Sequence, residues 1–448
     1  MTKFDTKLKF VGEYAFSNCS NLMEVDFGEF NISLSKGVFA SCRSLKTIAA
    51  PNLLSVIPES FAYLCTSLEA ILLYPYLIEI SDNSFSDCIS LISVGGDYSS
   101  LEKIGNNAFY QCKALTTFNF PKTKIKEIND WAFTGCTFAL VVFPNTLTYI
   151  GIGAFKFCDK LELIKFSNSL KVINESAFFQ CMRLNAIGMF NSLEIVEKQA
   201  FYYCGINEIV LPENLRFIGW KAFYSCKNIK KIVIYMRIEA TIAEDAFNNL
   251  DNVTELVFNS NNYQILNYLN DSKINKITFN SSLISEVPSL NTFVDLNELN
   301  ILNQDNFISL PNNFVRSNNL SIYIYPNIKS ISQNSFVDSH ISKIVYCGND
   351  TVDGDFLKNA LSCDSVECSS QYNKRLFGGM KFKVNTDLCE IYPKDNKKLI
   401  IILCTTIPIA VIIVIAIPAL ICAYKIRRNQ EYLKNKMVIA KLVVDDFG

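Results

Sequence analysis

Residues Phe217–Ile234 read FIGWKAFYSCKNIKKIVI. An apolar pair is followed by an Ala-Phe pair, a Cys and an alternating run ending in Ile. Read once, the stretch fits a buried helix or a strand equally well. Laid against the whole 448-residue chain, it recurs. Counted from the Phe of each Ala-Phe-like pair, the units fall at Phe16, Phe39, Phe61, Phe85, Phe109, Phe133, Phe155, Phe178, Phe201, Phe223 and Phe247. Successive spacings are 23, 22, 24, 24, 24, 22, 23, 23, 22 and 24 residues. A Cys closes each of the first ten units, at Cys19, Cys42, Cys65, Cys88, Cys112, Cys136, Cys158, Cys181, Cys204 and Cys226. Leu250 replaces it in the eleventh, and the register fades through Leu269, Phe293, Phe314 and Phe336. About fifteen units thus cover residues 8–346.

A repeat of 22–24 residues with apolar residues at fixed offsets predicts an α/β-type repeat solenoid, a leucine-rich-repeat horseshoe spanning residues 1–346. One coil buries no core alone, so neighbours stack and share one. The run Ile229–Ile234 alternates as a strand does, and stacked strands predict a parallel sheet along the concave face. Pro144 and Pro212 suit strand ends, because proline donates nothing to a ladder. The Ala-Phe pair is expected in a short helical turn on the convex side, with Phe filling the core. A concave sheet offers a broad protein-binding surface. Its candidate contacts are Glu24, Asp26, Lys165, Glu208, Lys230, Lys231, Glu255 and Lys276, whose mixed signs name no single ligand charge.

Composition narrows the function classes. The net charge of -1 gives no basic footprint for nucleic acid. A single His, His340, leaves Ser-His-Asp and Cys-His catalysis and His-rich metal sites without the residues they need. No paired-carboxylate pocket, phosphate loop or metal-ligand spacing stands out, so neither enzyme activity nor a cofactor or metal is expected. The repeat cysteines suit small buried free thiols. Cys347, Cys363, Cys368 and Cys389 lie in the non-repeating segment 347–398 and are candidates for a disulfide-stapled cap with a juxtamembrane stretch. Four cysteines allow three pairings, and all three stay open.

Residues 399–424 read LIIILCTTIPIAVIIVIAIPALICAY, without a charge, and predict one transmembrane helix. Lys425, Arg427 and Arg428 follow, which favours a short cytoplasmic tail over 425–448 and a solenoid outside. In the tail, Asn429 and Tyr432 form a candidate sorting signal of the N-P-x-Y kind, with Gln430 in the place of Pro. The chain opens MTKFDTKLKFVGEYAF, with no apolar signal stretch. Three routes stay open: the span directs export, the start lies upstream, or the solenoid faces the cytosol.

The unit I-x-x-x-A-F-x-x-C-x-x-L-x-x-I, as at Tyr149–Cys158 and Phe217–Cys226, closely resembles the BspA-like, or Treponema-type, leucine-rich repeats over about three quarters of the chain. With its span and short tail the chain looks like the membrane-anchored trichomonad forms. The resemblance implies a single-pass plasma-membrane surface antigen. Its repeats would bind proteins, glycosylated or not, on host cells, matrix or other microbes. The family's binding residues follow no motif, so none carries over. The alternative expectation is an intracellular membrane-tethered scaffold.

Overall fold

The computed structural model describes residues 8–28, 31–188, 191–269, 273–281, 283–284, 286–302, 308–325, 327–385 and Cys389. The described chain divides into two compact units, one of residues 8–206 with 218–226 and the other of 207–217 with 227–385.

In the first unit each coil opens with a two-residue strand. Val56–Ile57, Glu79–Ile80, Lys103–Ile104, Glu127–Ile128, Tyr149–Ile150, Val172–Ile173 and Ile195–Val196 pair in parallel in that order. In each the first residue faces outward and the second is buried. A longer strand closes the coil. Glu24–Asp26, Thr47–Ala49, Ala70–Leu73 and Ser93–Gly96 form one parallel sheet, and Leu140–Val142, Leu163–Lys165 and Ala186–Gly188 form another. The short-strand sheet is thus a second ladder beside the expected one.

No helix forms at the Ala-Phe pair, which corrects the expected helical turn and the α/β character of the repeat. Alternate N–H groups there leave the segment. Gly153, Phe155 and Phe157 donate to the carbonyls of Glu175, Ala177 and Phe179 in the next coil, at 2.8–2.9 Å. The N–H groups between them close tight turns, Lys156 onto Gly153 at 3.0 Å and Cys158 onto Phe155 at 3.3 Å. A helix would keep all these bonds within itself; here half of them tie coil to coil. The alternation demands a left-handed residue two before and two after the Phe. Asn107 and Gln111 flank Phe109 with φ of 53° and 57°, and Trp131 and Gly135 flank Phe133 with 59° and 75°. For an L-residue each such place costs roughly 1 kcal/mol or more.

The Phe rings stack into a column. Successive centroids from Phe85 through Phe109, Phe133, Phe155, Phe178 and Phe201 to Phe223 lie 5.2–5.5 Å apart, with planes within 17° of parallel. Phe61 interrupts it, meeting Phe39 and Phe85 edge-on at 84° and 80°. The left-handed residues of that coil are Ser60 and Leu64, and Cys88 donates to the Ala62 carbonyl. Ala62 therefore holds the slot, and the pair is inverted to Phe-Ala.

The repeat cysteines form a second column. Cys136 Sγ donates to the Phe109 carbonyl and Cys158 Sγ to that of Phe133, both at 3.3 Å, and the pattern holds from Cys42 to Cys226. All are free thiols, and those from Cys42 onward are buried. Burial pushes the Cys42 thiol up to about 11 and those of Cys65 and Cys226 up to about 12. Alkylation proceeds through the thiolate, so these thiols are inert in the native state. With iodoacetamide at mildly alkaline pH, Cys19, only half-buried, is expected to be carboxamidomethylated in the native protein, while Cys363, half-buried but pushed up to about 11 by burial, reacts more slowly. Cys65 to Cys226 are expected to react only after denaturant is added. Peptide mass spectrometry reads the result, and rapid native labelling of Cys136 would contradict it.

In the second unit the long-strand sheet runs Glu208–Leu211, Lys231–Ile234, Glu255–Phe258, Lys276–Phe279, Glu298–Ile301, Leu320–Ile324 and His340–Tyr346, all parallel. It does not stop at Tyr346. Val366–Cys368 pairs with Ile344–Tyr346, and Lys383–Val384 extends it by one more short strand. Cys347 and Cys389 are joined, with Cα atoms 5.2 Å apart, while Cys363 and Cys368 are free. The predicted span 399–424 and the tail with Asn429 and Tyr432 lie outside the described residues. Among the described residues no helix is long and apolar enough to cross a membrane.

Candidate functional site: the outer face of the long-strand sheet

Register turns the outward strand positions into rows. Glu208, Lys231, Glu255, Lys276, Glu298 and Ser321 are successive ladder partners, followed by Lys343. The row alternates in sign and is laced by Lys231–Glu255 at 3.6 Å, Lys276–Glu298 at 2.9 Å and Lys343–Glu367 at 2.8 Å. Opposite charges on neighbouring strands stabilise a sheet modestly, and partial exposure keeps each pair weak. Two residues further along each strand a second row faces the same way: half-buried Val210, Val233 and Val257, then Thr278, Asn300 and Tyr323.

Just beyond the ends of the first four of these strands lies an open recess of about 490 Å³. Tyr235, Ile238 and Leu283 line it, exposed by 43%, 56% and 65%. Arg237 lies across its wall and clasps Glu213 with Nε at 3.2 Å and Nη2 at 2.9 Å. Asn259 adds a polar edge.

Four of the eight sequence-predicted contacts, Glu208, Lys231, Glu255 and Lys276, therefore share one row. Lys230 precedes its strand and is exposed. Glu24 and Asp26 lie in the first unit on another sheet, where Asp26 accepts the Gly28 N–H at 2.8 Å. Lys165 ends a strand of a third sheet, between Val142 and Gly188. The second row and the recess were missed. The alternation of Val210, Val233 and Val257 was visible, but the recess is made by residues after the strands, where the repeat is least regular. Among the described residues no group of three or more His, Cys, Asp and Glu stands close enough to hold a metal ion. His340 Nδ1 lies 3.0 Å from Ser362 Oγ at the exposed start of its strand.

The charged row titrates unevenly. Burial raises the Glu208 carboxyl above its ordinary range, partly offset by Lys231. Burial pushes Glu298 up as well, but hydrogen bonds from Asn300 at 2.7 Å and from Lys276 outweigh it and hold it below the usual range. A depressed carboxyl contributes stability above its unfolded value, near 4.3, and loses it as pH falls through the folded value. A raised one does the opposite, so Glu208 weakens the fold as pH rises through its folded value. Lys276→Glu would set three carboxylates side by side, at 255, 276 and 298. It is expected to destabilise by about 1–2 kcal/mol at neutral pH. The loss should shrink as pH is lowered toward about 4, where carboxylates protonate. Urea melts across pH test this, and a pH-independent loss would contradict it.

A repeat family described as BspA type leucine rich repeat region (6 copies) matches residues 2–99, 97–204, 173–293 and 240–363. A Trichomonas vaginalis protein named as a BspA-like surface protein is 36% identical over 155 residues, which take up 32% of this chain and 24% of that one. The chain thus spans about a quarter of that relative's length. A leucine-rich repeat protein from Bacteroides ovatus is 18% identical, with a TM-score of 0.43 over 81% of this chain and 92% of that chain. A leucine-rich repeat protein from T. pallidum is 22% identical, with a TM-score of 0.32 over 49% of this chain and 82% of that one. Family membership rests on the repeat matches, which overlap from residue 2 to residue 363 across coils with a shared Phe slot and strand register. The chain belongs to the BspA-type leucine-rich-repeat family.

Proposed function

We propose that the chain is a surface-displayed adhesin or receptor that binds proteins on host cells, matrix or other microbes. The recess beside the charged row carries this reading. Protein interfaces seat aromatic and aliphatic anchors in an apolar centre within a polar rim. Here Tyr235, Ile238 and Leu283 offer the apolar part, next to a row whose charges are already mutually compensated. A partner would be read by pattern along Glu208, Lys231, Glu255 and Lys276 rather than by net charge. Glu24, Asp26, Lys165 and Lys230 are further contact positions in this reading. The family's surface proteins and the Cys347–Cys389 bridge, which suits an oxidising compartment, support display outside the cell. Anchoring through residues 399–424 with a cytoplasmic tail completes the proposal, as does use of Asn429 and Tyr432 in sorting.

The test has two arms. An N-terminal epitope tag is expected to stain on intact cells, and a C-terminal tag only after permeabilisation. The reverse pattern would favour a cytosolic scaffold. Binding of the full chain in detergent micelles to a panel of matrix and cell-surface proteins is expected to fall about tenfold or more in Tyr235→Ala/Leu283→Ala. Unchanged binding by that folded variant would sink the recess as the contact site.

A further inference from the structure

Within the first unit, the turn row carries an aromatic strip that the fold does not require. Phe157, Phe179, Tyr202 and Tyr224 follow one another on successive coils with ring centroids 5.8, 4.7 and 5.1 Å apart. At the position of Phe179, Tyr202 and Tyr224, directly after the Phe slot, four other coils carry Ser17, Ala40, Ser86 and Thr134, while two carry Tyr63 and Tyr110. Stacking of coils therefore needs no ring there. Phe157 and Tyr203 are 43% and 41% exposed, although both sit in the left-handed region at φ 59°. Trp131 and Lys221 share that strained backbone at 59° and 53°, where other coils place Gly37, Asn83 or Asn107. Strained backbone that holds large exposed side chains points to selection for something other than stability.

Two cations are set into the strip. Lys156 Nζ lies 4.4 Å from the centre of the Phe179 ring, 5.1 Å from Phe157 and 5.4 Å from Trp131. Lys221 Nζ lies 4.2 Å from the ring of Trp220, which is 43% exposed, and 5.0 Å from Tyr224. Neighbouring Lys160 and Lys198 are matched by Asp159 and Glu175 at 3.6 and 3.1 Å. Lys156 and Lys221 have no carboxylate partner among the described residues. The rings hold them in place by cation–π attraction and leave their N–H groups for an anion.

We propose that this strip binds an extended anionic polysaccharide, with its sugar faces against the exposed rings and its carboxylates or sulfates on Lys156 and Lys221. A strip with at least one ring on each of four successive coils suits a linear repeating polymer. Protein partners instead seek pockets for anchor side chains, and the recess of the second unit offers one. The two surfaces belong to different units, so either reading can fail alone.

The experiment compares retention of the full chain, in detergent micelles at low salt, on immobilised heparin, hyaluronan and uncharged dextran. Retention on at least one anionic polymer and none on dextran is expected. Phe157→Gly/Tyr203→Gly should weaken it about tenfold, as loss of stacking rings does elsewhere, while the thermal midpoint stays or rises because backbone strain is relieved. Lys156→Gln/Lys221→Gln should weaken it as well, and Tyr235→Ala/Leu283→Ala should not. The proposal is overturned if the wild-type chain is retained by neither anionic polymer, or if the folded glycine variant binds undiminished. It is equally overturned if single-stranded oligonucleotide or polyglutamate is preferred to both polysaccharides.

Discussion

Phe133→Ala is expected to lower stability by roughly 3–5 kcal/mol, the upper range for truncating a core aromatic. Phe133 is fully buried and stands where the Phe column meets a second aromatic layer. Its ring centre lies 5.2 Å from Phe109, 5.3 Å from Phe155, 5.4 Å from Phe120 and 5.5 Å from both Phe118 and Phe138. The flanking turn and strand bonds hold the coils at fixed spacing, so the neighbours have little room to collapse into the void. In a stacked array the lost contacts belong to the interfaces on both sides of the coil, and the damage spreads to both neighbours. Phe16 provides the comparison. It is only half-buried in the first described coil and stacks on Phe39 at 5.7 Å, so Phe16→Ala should cost well under half as much. Urea melts of the two variants, with hydrogen exchange on the amides of coils 109 to 155, measure both magnitude and spread. A loss for Phe133→Ala no larger than for Phe16→Ala would mean that the column is not the core of the unit.

The Phe and Cys columns were legible because one chemical demand recurs in every coil. A slot between stacked coils accepts a ring, and a small donor beside it reaches the carbonyl of the preceding Phe. The turn was not legible. An i, i+3 turn with alternate bonds to the next coil shows the same apolar spacing as a helical turn. The left-handed places carry residues as different as Gly153, Leu64 and Trp131, so no residue type marks them. The inversion at Phe61–Ala62 was hidden for a related reason: a shift of one residue keeps both side chains apolar and buried.

The candidate site shows the same division. That Lys231 and Glu255 face outward follows from alternation within each strand. That they sit side by side depends on register between coils whose lengths vary, with partners separated by 23, 24, 21 and 22 residues along Glu208, Lys231, Glu255, Lys276 and Glu298. Small errors of register would pair Lys with Lys. The bridge between Cys347 and Cys389 is likewise a matter of three-dimensional approach, since spacing alone left three pairings open.

Gly96→Ala is the second large effect expected, about 2–4 kcal/mol from a single methyl group. Gly96 ends the strand Ser93–Gly96 with φ at +91°, beyond the region that Asn or Asp tolerates. A Cβ built there would lie 2.0 Å from the carbonyl oxygen of Leu73, its ladder partner, and 3.0 Å from Leu72 Cδ1. Backbone strain and collision with backbone therefore add, and the carbonyl cannot swing aside without loosening the pairing of the two strands. Gly28→Ala separates the two terms. Gly28 also has positive φ, at 56°, but nothing lies within 4 Å of its added Cβ. It should cost only the left-handed penalty, about 1 kcal/mol. Thermal and urea melts of both variants decide between the causes. A clear excess for Gly96→Ala assigns the difference to the contact with Leu73. Equal losses would mean that the strand end relaxes freely, and that the ladder between 70–73 and 93–96 is looser at its end than its register implies.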